Sequence, residues 1–241
     1  MNSSLELSVV IPALHEGPNL AILLPRLREL LQTLTNSFEI MVVTAGTDQE
    51  TLEAAKISEA SVIEQSERGY GGALKAGFEL ARGQYIITMD ADLSHPPIFI
   101  RDLWEQRNAA EVVIASRYVP GGKAAMPFGR FVLSRILNSF FARGLGLPVK
   151  DLSSGFRLYE AGLLQSLELT AHDFNVLIEI LVRLYSDGKQ IKEVPFNYAP
   201  RIFGSSNARI FAFGIEYIKT FYTLRLLKRK IRAGVPAIPH D

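Results

Sequence analysis

The sequence predicts an α/β fold in which a mostly parallel sheet is covered by helices on both faces. Through the first half of the 241-residue chain, short apolar runs rich in β-branched residues alternate with segments of helical spacing. This alternation is typical of parallel sheets, because each parallel connection needs a crossover that a helix usually supplies. Hydrophobic residues make up 48% of the chain and charged residues 21%, so the composition is globular and excludes bulk disorder.

The elements of this first half are predicted in chain order from their periodicity. Ligands of such sheets bind at the carboxyl ends of the strands, so functional residues are expected directly after them. The predicted strands are Leu7–Pro12, Glu39–Thr44, Val62–Gln65, Gln84–Met89 and Glu111–Ser116. The predicted helices are Leu20–Leu34, Gln49–Ala60, Ala73–Ala81 and Pro97–Arg107, the last with proline in its first turn.

The second half carries two basic amphipathic segments, Phe128–Leu145 and Ile210–Ile231. The first contains several phenylalanines and three arginines but no acid, and the second is aromatic at its start and basic at its end. Such helices suit a membrane surface, and the alternative is that they pack on the sheet or on another subunit. We expect one domain over residues 1–207, followed by a basic amphipathic helix and a frayed tail over 208–241.

The net charge of +1 hides an uneven distribution. Residues 1–200 hold 18 basic and 23 acidic side chains, whereas residues 201–241 hold 8 and 2. No acid lies between Glu111 and Asp151, although six basic residues do. A stretch of this kind attracts anions, and the alternative is a solvated basic face.

Several classes of protein are excluded by what the chain lacks. The absence of cysteine excludes disulfide scaffolds, thiolate metal sites, cysteine nucleophiles and dithiol redox centres. No uncharged run exceeds nine residues, whereas a membrane-spanning helix needs roughly 20 apolar ones. The N-terminus has no basic segment followed by an apolar one, so a signal peptide is not expected and a cytoplasmic location is.

The strongest chemical signal is MDADLSHPP at 89–97, where a strand runs out into a turn. The period of two along a strand places Asp90 and Asp92 on the same side. Two close carboxylates repel unless a cation lies between them, and hard oxygen ligands select Mg²⁺ or Mn²⁺. The alternative is an ordinary aspartate-rich turn, but the preceding strand and the following Pro96–Pro97 helix start favour a metal site.

Three further segments carry glycines, hydroxyls or arginines near predicted strand ends. In ERGYGGALKAGF (67–78), Gly69 opens a helix that carries Lys75, an arrangement that suits a pyrophosphate, although the dinucleotide fingerprint and the P-loop are both absent. Arg117 directly follows the fifth strand, and DLSSGFRLY (151–159) groups Asp151, Ser154 and Arg157. Arginines beside hydroxyls and glycines fit a bound phosphate, and the alternative for an isolated arginine is a structural role.

Six segments, in this order and spacing, resemble the dolichol-phosphate mannosyltransferases and bacterial polyprenyl-phosphate glycosyltransferases of glycosyltransferase family 2. The resemblance covers about residues 5–207 and implies a GT-A type nucleotide-diphospho-sugar transferase fold for the domain over 1–207. It implies inverting transfer of one sugar from a nucleoside-diphosphate sugar to a polyprenyl or dolichyl phosphate, with Mg²⁺ or Mn²⁺ as cofactor. The segments are VIPALHE (10–16), RGYGGALKAGF (68–78), MDADLSHPP, ASRYVPGG (115–122), LGLPVKDLSSGFRLY (145–159) and EVPFNYAPRIFG (193–204).

The resemblance also implies roles for individual residues. Asp90, Asp92 and Ser94 would hold the metal, and Arg117 would hold the acceptor phosphate, unless it pairs with a nearby acid and stabilises its loop. Pro12 and Glu16 would lie at the nucleoside, and Ser154 and Arg157 would flank the sugar and phosphates. The implied catalytic residues are Asp92, Arg117 and Arg157, and the implied donor-binding residues are Pro12, Glu16, Gly69, Lys75, Asp90, Ser154 and Arg201.

The implied partners include a membrane surface and exclude nucleic acid. We expect the protein to be peripheral on the cytoplasmic face, with a membrane-protein partner or a second copy of the chain as a further partner. A lipid phosphate is already largely ionised near neutrality, because the second pKa of a phosphomonoester is about 6. The nucleophile then needs no general base, and the histidines are expected to be ordinary polar residues.

Two departures from the family pattern keep alternatives open. Thr44 and Ala45 stand where the family has an aspartate pair that reads the nucleobase, and Ser205–Asn207 stands where it has Ser-Lys. These changes indicate an altered donor or a weaker affinity for it. They also support a second hypothesis, a membrane-associated scaffold that keeps the fold without turnover. A sugar nucleotidyltransferase is a third, but its glycine-rich, arginine-bearing loop should follow the first strand, where Pro12–Glu16 lies.

Overall fold

The computed structural model describes residues 5–46, 49–200 and 214–233. A seven-stranded sheet forms the centre of this part of the chain, with the strand order β3-β2-β1-β4-β7-β5-β8, and β6 pairs with β9 in a small second sheet. The strands are β1 Leu5–Pro12, β2 Phe38–Thr44, β3 Ser61–Glu64, β4 Gly83–Thr88, β5 Val112–Ser116, β6 Lys123–Ala124, β7 Arg157–Glu160, β8 Ile191–Pro195 and β9 Asn197–Tyr198.

Helices cover both faces of the seven-stranded sheet. Successive residues of β1 alternate between two cores, since Val9 packs with the helices of one face and Val10 with those of the other. The helices are α1 Gly17–Leu34, α2 Gln49–Ile57, α3 Gly69–Leu80, α4 Ile100–Glu105, α5 Phe128–Leu145, α6 Ala161–Gln165, α7 Val176–Ser186 and α8 Gly214–Arg232. The predicted α/β architecture is confirmed.

One strand breaks the parallel pattern and brings distant segments together. β7 is antiparallel and lies between β4 and β5, so that Arg157 pairs with both Thr88 and Ile114. The segment before β7 therefore lies at the same sheet edge as the segments after β4 and β5. The sequence prediction contained neither β7 nor β8.

Several element bounds differ from the predicted ones. The segment predicted as one helix over Pro97–Arg107 consists of a 3₁₀ turn, Pro97–Phe99, followed by α4. α3 begins at Gly69, four residues before the predicted start at Ala73, because glycines that are typical of a loop form its first turn. These shifts leave Asp90, Asp92 and Lys75 on or beside their expected elements.

The C-terminal helix α8 packs against the body of the protein. Phe221 is buried against Phe141 of α5, with ring centroids 5.7 Å apart, and the amino group of Lys228 donates to the carbonyl of Leu145 at the end of that helix. The predicted frayed tail, over 234–241, lies outside the described residues, as do residues 208–213. None of the helices in the described ranges is long and apolar enough to cross a membrane.

Candidate active site

The acidic turn that follows β4 lies at the carboxyl edge of the sheet. Asp92 is buried, with 4% of its surface exposed, and its Oδ1 accepts hydrogen bonds from the backbone N–H and the hydroxyl of Ser94. Leu93 between them has a φ of 64°, a left-handed conformation that is uncommon for a non-glycine residue and is enriched at active sites. The turn is thus held in one shape around Asp92.

Asp90 has different surroundings from Asp92. Its side chain is 28% exposed, and its Oδ1 accepts a hydrogen bond from the hydroxyl of Tyr70 at 3.2 Å. The backbone N–H of Asp90 donates to Nδ1 of His95 at 2.9 Å, and Nε2 of the same ring lies 3.6 Å from Oδ2 of Asp90. Burial lowers the pKa of His95 below its ordinary value, so the ring is neutral, with its proton on Nε2.

The acidic turn fits a hard divalent cation that is shared with a substrate. Among the described residues, no three histidine, cysteine, aspartate or glutamate side chains form a ready metal cage. Mg²⁺ is usually bound by one or two carboxylates plus substrate phosphates, so the oxygens of Asp90 and Asp92 suit it, whereas the Ser94 hydroxyl is fully buried and donates to Asp92. These three residues would hold the metal, and Asp90 is the more exposed of the two carboxylates.

Arg117 is engaged by an acid, in agreement with the alternative prediction for this residue. Its Nε and Nη2 donate to the two carboxylate oxygens of Asp151 at 2.8 and 2.7 Å, and Nη2 also donates to Ser153 Oγ at 2.8 Å. Burial alone would raise the pKa of Asp151, but the Arg117 charge outweighs it and holds that pKa below its ordinary value. The pair therefore fixes the loop after β5.

Arg157 is enclosed by protein. Its side chain is completely buried and donates to the carbonyls of Ser154, Leu177 and Leu152. A guanidinium in these contacts holds the backbone before β7 in place. These contacts describe a structural part for Arg157, and the catalytic role that the resemblance implies stays a prediction.

The glycine-rich start of α3 lies close to the segment before α7, although Gly69 itself is exposed. The N–H of Gly71 donates to the carbonyl of His172 at 2.9 Å, and a Cβ on Gly69 would lie 2.3 Å from that oxygen. The amino group of Lys75 is paired with Glu67. These glycines thus allow the 171–172 segment to approach, and the lysine has an ion-pair partner, whereas the donor-binding roles of Gly69 and Lys75 stay predictions.

Three more predicted residues lie at the expected edge of the sheet. Pro12 ends β1 and is half-buried, and Glu16 just before α1 accepts a hydrogen bond from Asn19 at 2.5 Å. Ser154 is buried, and its Oγ accepts from the N–H of Phe156 at 3.3 Å. Arg201 lies outside the described residues.

Thr44 is the last residue of β2 and also lies at this edge of the sheet. The resemblance implies an aspartate at this position. Its side chain is buried, and its hydroxyl has no hydrogen-bond partner among the described residues. Ala45 beside it is exposed. A hydroxyl carries no charge, so these two positions offer none of the negative charge that the resemblance implies there.

One face of α5 exposes apolar side chains to solvent. Phe128, Val132, Ile136 and Phe140 recur every four residues and so share a face, and Phe128 is 81% exposed. Together with Arg135, Arg143 and neighbouring residues they line a shallow cavity of about 700 Å³. We call this surface the α5 face.

Sequence reasoning missed Tyr70, Asn138 and the part that His95 plays. Tyr70 lies within the glycine-rich motif, and His95 lies within the acidic motif, but neither has a spacing that indicates contact with Asp90. Asn138 is a buried polar residue on α5, and its amide exchanges two hydrogen bonds with Ser153, each 3.1 Å long. A buried polar position inside a basic amphipathic helix is the one signal that could have indicated it.

Comparison with known proteins agrees with this architecture. The model of a family described as Glycosyl transferase family 2 matches residues 8–167. The chain is 34% identical over 236 residues to the dolichol-phosphate mannosyltransferase of Pyrococcus furiosus, with 91% of this chain and 64% of that protein covered. It is 32% identical over 213 residues to the polyprenol monophosphomannose synthase of Mycolicibacterium smegmatis, with 82% and 79% covered.

A solved structure resembles the whole described architecture. Glucosyl-3-phosphoglycerate synthase from Mycobacterium tuberculosis, in complex with Mn²⁺, uridine diphosphate and phosphoglyceric acid, has a TM-score of 0.71 at 20% identity, with 96% of this chain and 80% of that chain covered. This likeness concerns the fold alone and confirms the predicted GT-A type. With a family model that matches most of the chain and relatives above 30% identity, the chain belongs to glycosyltransferase family 2 and is a glycosyltransferase.

Proposed function

We propose that this chain moves one sugar, with inversion, from a nucleoside-diphosphate sugar to a polyprenyl or dolichyl phosphate. In this proposal Mg²⁺ or Mn²⁺ is bound at Asp90, Asp92 and Ser94, and the protein is peripheral on the cytoplasmic face of a membrane. The relatives from Pyrococcus and Mycolicibacterium, whose names give dolichol phosphate and polyprenol as the acceptors, support the acceptor class. The manganese complex of the similar structure supports the metal.

The observation that carries the proposal is that α5, the helix that carries the α5 face, is joined through Ser153 to Arg117. Asn138 of α5 bonds Ser153, whose hydroxyl accepts from Arg117, and the hydroxyl of Tyr118 donates to Ser134 of α5 at 2.7 Å. An apolar, basic helix is thereby attached to the loop at the carboxyl edge of the sheet. A lipid phosphate combines an apolar chain with an anion. The apolar chain suits the exposed apolar side chains of α5, and the anion suits its basic side chains.

The chemistry requires positioning more than proton transfer. An ionised lipid phosphate is itself the nucleophile, so the protein must hold it in line with the anomeric carbon. A divalent cation, when bound, stabilises the charge of the departing diphosphate. Asp90 and Asp92 would hold the cation, and the basic residues of the acid-free stretch would attract the acceptor.

Transfer of sugar to a polyprenyl phosphate tests this function directly. We expect the purified chain to convert a labelled guanosine- or uridine-diphosphate sugar into a lipid product in vesicles that contain polyprenyl phosphate, and only with Mg²⁺ or Mn²⁺ present. The same nucleotides with Mn²⁺ should raise the melting temperature, because a ligand of the native state stabilises it. Nucleotide binding without transfer to any acceptor would contradict the proposal and favour the scaffold hypothesis.

Flotation with vesicles tests attachment through the α5 face. We expect the parent chain to float with anionic vesicles and to do so less at high salt, since each basic side chain near anionic headgroups contributes about 1 kcal/mol, or roughly fivefold in affinity. Arg135→Gln with Arg143→Gln should lower binding by about 30-fold at low salt. Phe128→Ser with Ile136→Ser should lower binding to neutral and anionic vesicles alike.

Ile57→Ser is the matched control for these apolar substitutions. Ile57 is 84% exposed on α2, whose side chains pack on the opposite face of the sheet from α5. Its substitution should leave flotation unchanged. Binding that is indifferent to salt and to all four α5 substitutions would place the membrane contact elsewhere.

A further inference from the structure

Asp90 is contacted on three sides by side chains or backbone that the sugar-transfer chemistry does not itself require. The Tyr70 hydroxyl donates to Oδ1, and His95 approaches Oδ2 with Nε2 while its Nδ1 accepts the N–H of Asp90. Gly155 closes a third side, because a Cβ there would lie 3.3 Å from Oδ1 of Asp90 and 2.4 Å from the Tyr70 oxygen. These contacts leave the Asp90 side chain 28% exposed.

Tyr70 is itself held in place by the segment before α7. Its ring stacks on that of Phe174, with centroids 4.3 Å apart and an interplanar angle of 18°. The carboxylate of Glu179 accepts the N–H groups of Thr170 and Ala171 at 2.8 to 3.1 Å and so anchors the start of that segment. The phenol therefore meets Asp90 from a ring that is fixed by packing rather than from a freely rotating side chain.

His95 is fixed equally firmly on the other side. Its ring is buried and stacks on Phe156, with centroids 5.0 Å apart, and the edge of Phe196 packs against it at 5.8 Å. The carbonyl of the preceding residue, Ser94, accepts the N–H of Ala199 at 3.1 Å. The ring in this position accepts the N–H of Asp90 at Nδ1 and places Nε2 3.6 Å from Oδ2 of the same residue.

We propose that Tyr70 and His95 are positioning residues that hold the Asp90 carboxylate in the orientation needed to bind the divalent cation. This inference rests on the proposed function. Residues that orient metal ligands usually matter almost as much as the ligands. Their loss typically lowers metal affinity by about 10- to 100-fold. The Tyr70 hydroxyl is the cleaner of the two to remove, because phenylalanine keeps the stack on Phe174.

Tyr70→Phe tests the proposal through metal affinity. We expect the variant to bind Mn²⁺, measured by electron paramagnetic resonance in the presence of inorganic pyrophosphate, about 10-fold more weakly than the parent. Its melting temperature without metal should change little. The loss of transfer should be largely restored by a higher concentration of Mn²⁺, which a general loss of structure would not allow.

Two controls separate positioning from a merely structural role. Tyr85 lies on β4, the strand that leads to Asp90, and its hydroxyl donates to Asn108 at 3.0 Å. Tyr85→Phe removes that hydroxyl and should leave Mn²⁺ affinity unchanged. In an Asp90→Asn background, Tyr70→Phe should have almost no further effect on Mn²⁺ affinity, because the hydroxyl acts through that carboxylate. Additive effects of the two substitutions would overturn the proposal.

The outcomes distinguish the positioning role of Tyr70 and His95 from the function on which it rests. If the parent binds Mn²⁺ and Tyr70→Phe binds it equally well, the positioning role is wrong and the proposed function stands. If the parent binds no Mn²⁺ with pyrophosphate and transfers sugar without metal, both the metal dependence and the positioning role are wrong.

Discussion

Asp92→Asn is expected to lower sugar transfer about 10³-fold, a loss of several kcal/mol of transition-state stabilisation. Asparagine retains an Oδ1 that can accept the N–H and hydroxyl of Ser94, so the turn around residue 92 should survive. What disappears is the negative charge that a divalent cation requires. The melting temperature without metal should therefore change little, whereas its rise on addition of Mn²⁺ and nucleotide should be lost.

Initial rates with Mn²⁺, together with melting curves, measure this prediction. Asp102→Asn is the control, because it removes an exposed acid from α4 and should leave transfer unchanged. Transfer by Asp92→Asn at the parent rate, or parent activity that persists after chelation of divalent metal, would show that Asp92 is not a metal ligand.

Asp151→Asn is expected to destabilise the fold by about 3 kcal/mol, because it leaves the buried Arg117 cation without its counter-charge. Asp151 is completely buried and accepts from the backbone N–H of Arg117 as well as from its guanidinium. For a chain of this length, such a loss corresponds to a fall of about 10 °C in melting temperature. Thermal and urea unfolding of both chains measure it, and equal stabilities would contradict a structural ion pair.

The same pair makes a pH prediction. The folded pKa of Asp151 is lowered relative to the unfolded chain, because the Arg117 charge outweighs the opposite effect of burial. The ion pair is therefore fully stabilising above the unfolded pKa of about 3.9 and loses its contribution as the pH falls further. The difference in unfolding free energy between the parent and Asp151→Asn should be constant near neutrality and shrink below about pH 4.

Arg117→Lys separates the two roles considered for this residue. A lysine keeps the charge but cannot make the bidentate contact with Asp151, so some stability should be lost. If Arg117 also orients the acceptor phosphate, transfer should fall much more than nucleotide affinity, even below the melting transition. A parallel loss of stability, nucleotide affinity and transfer would leave Arg117 with the ion-pair role alone.

The acidic turn and the first five strands could be predicted because their signals are local. The period of two that identifies β4 also places Asp90 and Asp92 directly after it, and a strand end is where parallel sheets bind ligands. The amphipathic character of α5 is equally local, since it depends only on residues four apart. These features depend on neighbouring residues and can therefore be identified without knowing the contacts made by the rest of the chain.

The roles of Lys75, Arg157 and Tyr70 could not be predicted in this way. Lys75 lies next to Glu67, Arg157 donates to the carbonyl of Leu177 on α7, and the Tyr70 hydroxyl donates to Asp90. A motif identifies which donors and acceptors are present, but their partners come from other elements. The direction in which each side chain points is set by those partners.

By itself, the sequence determined that this is an α/β protein with a carboxylate turn after its fourth strand and a basic, apolar helix suited to a lipid surface. Only the tertiary structure decided which charged groups remain available to a substrate. The antiparallel insertion of β7 between β4 and β5 turns Arg157 inwards, and it brings Gly155 against Asp90 and Asp151 against Arg117. The physical reason is that burying a charge requires a partner, and the fold, rather than the motif, supplies it.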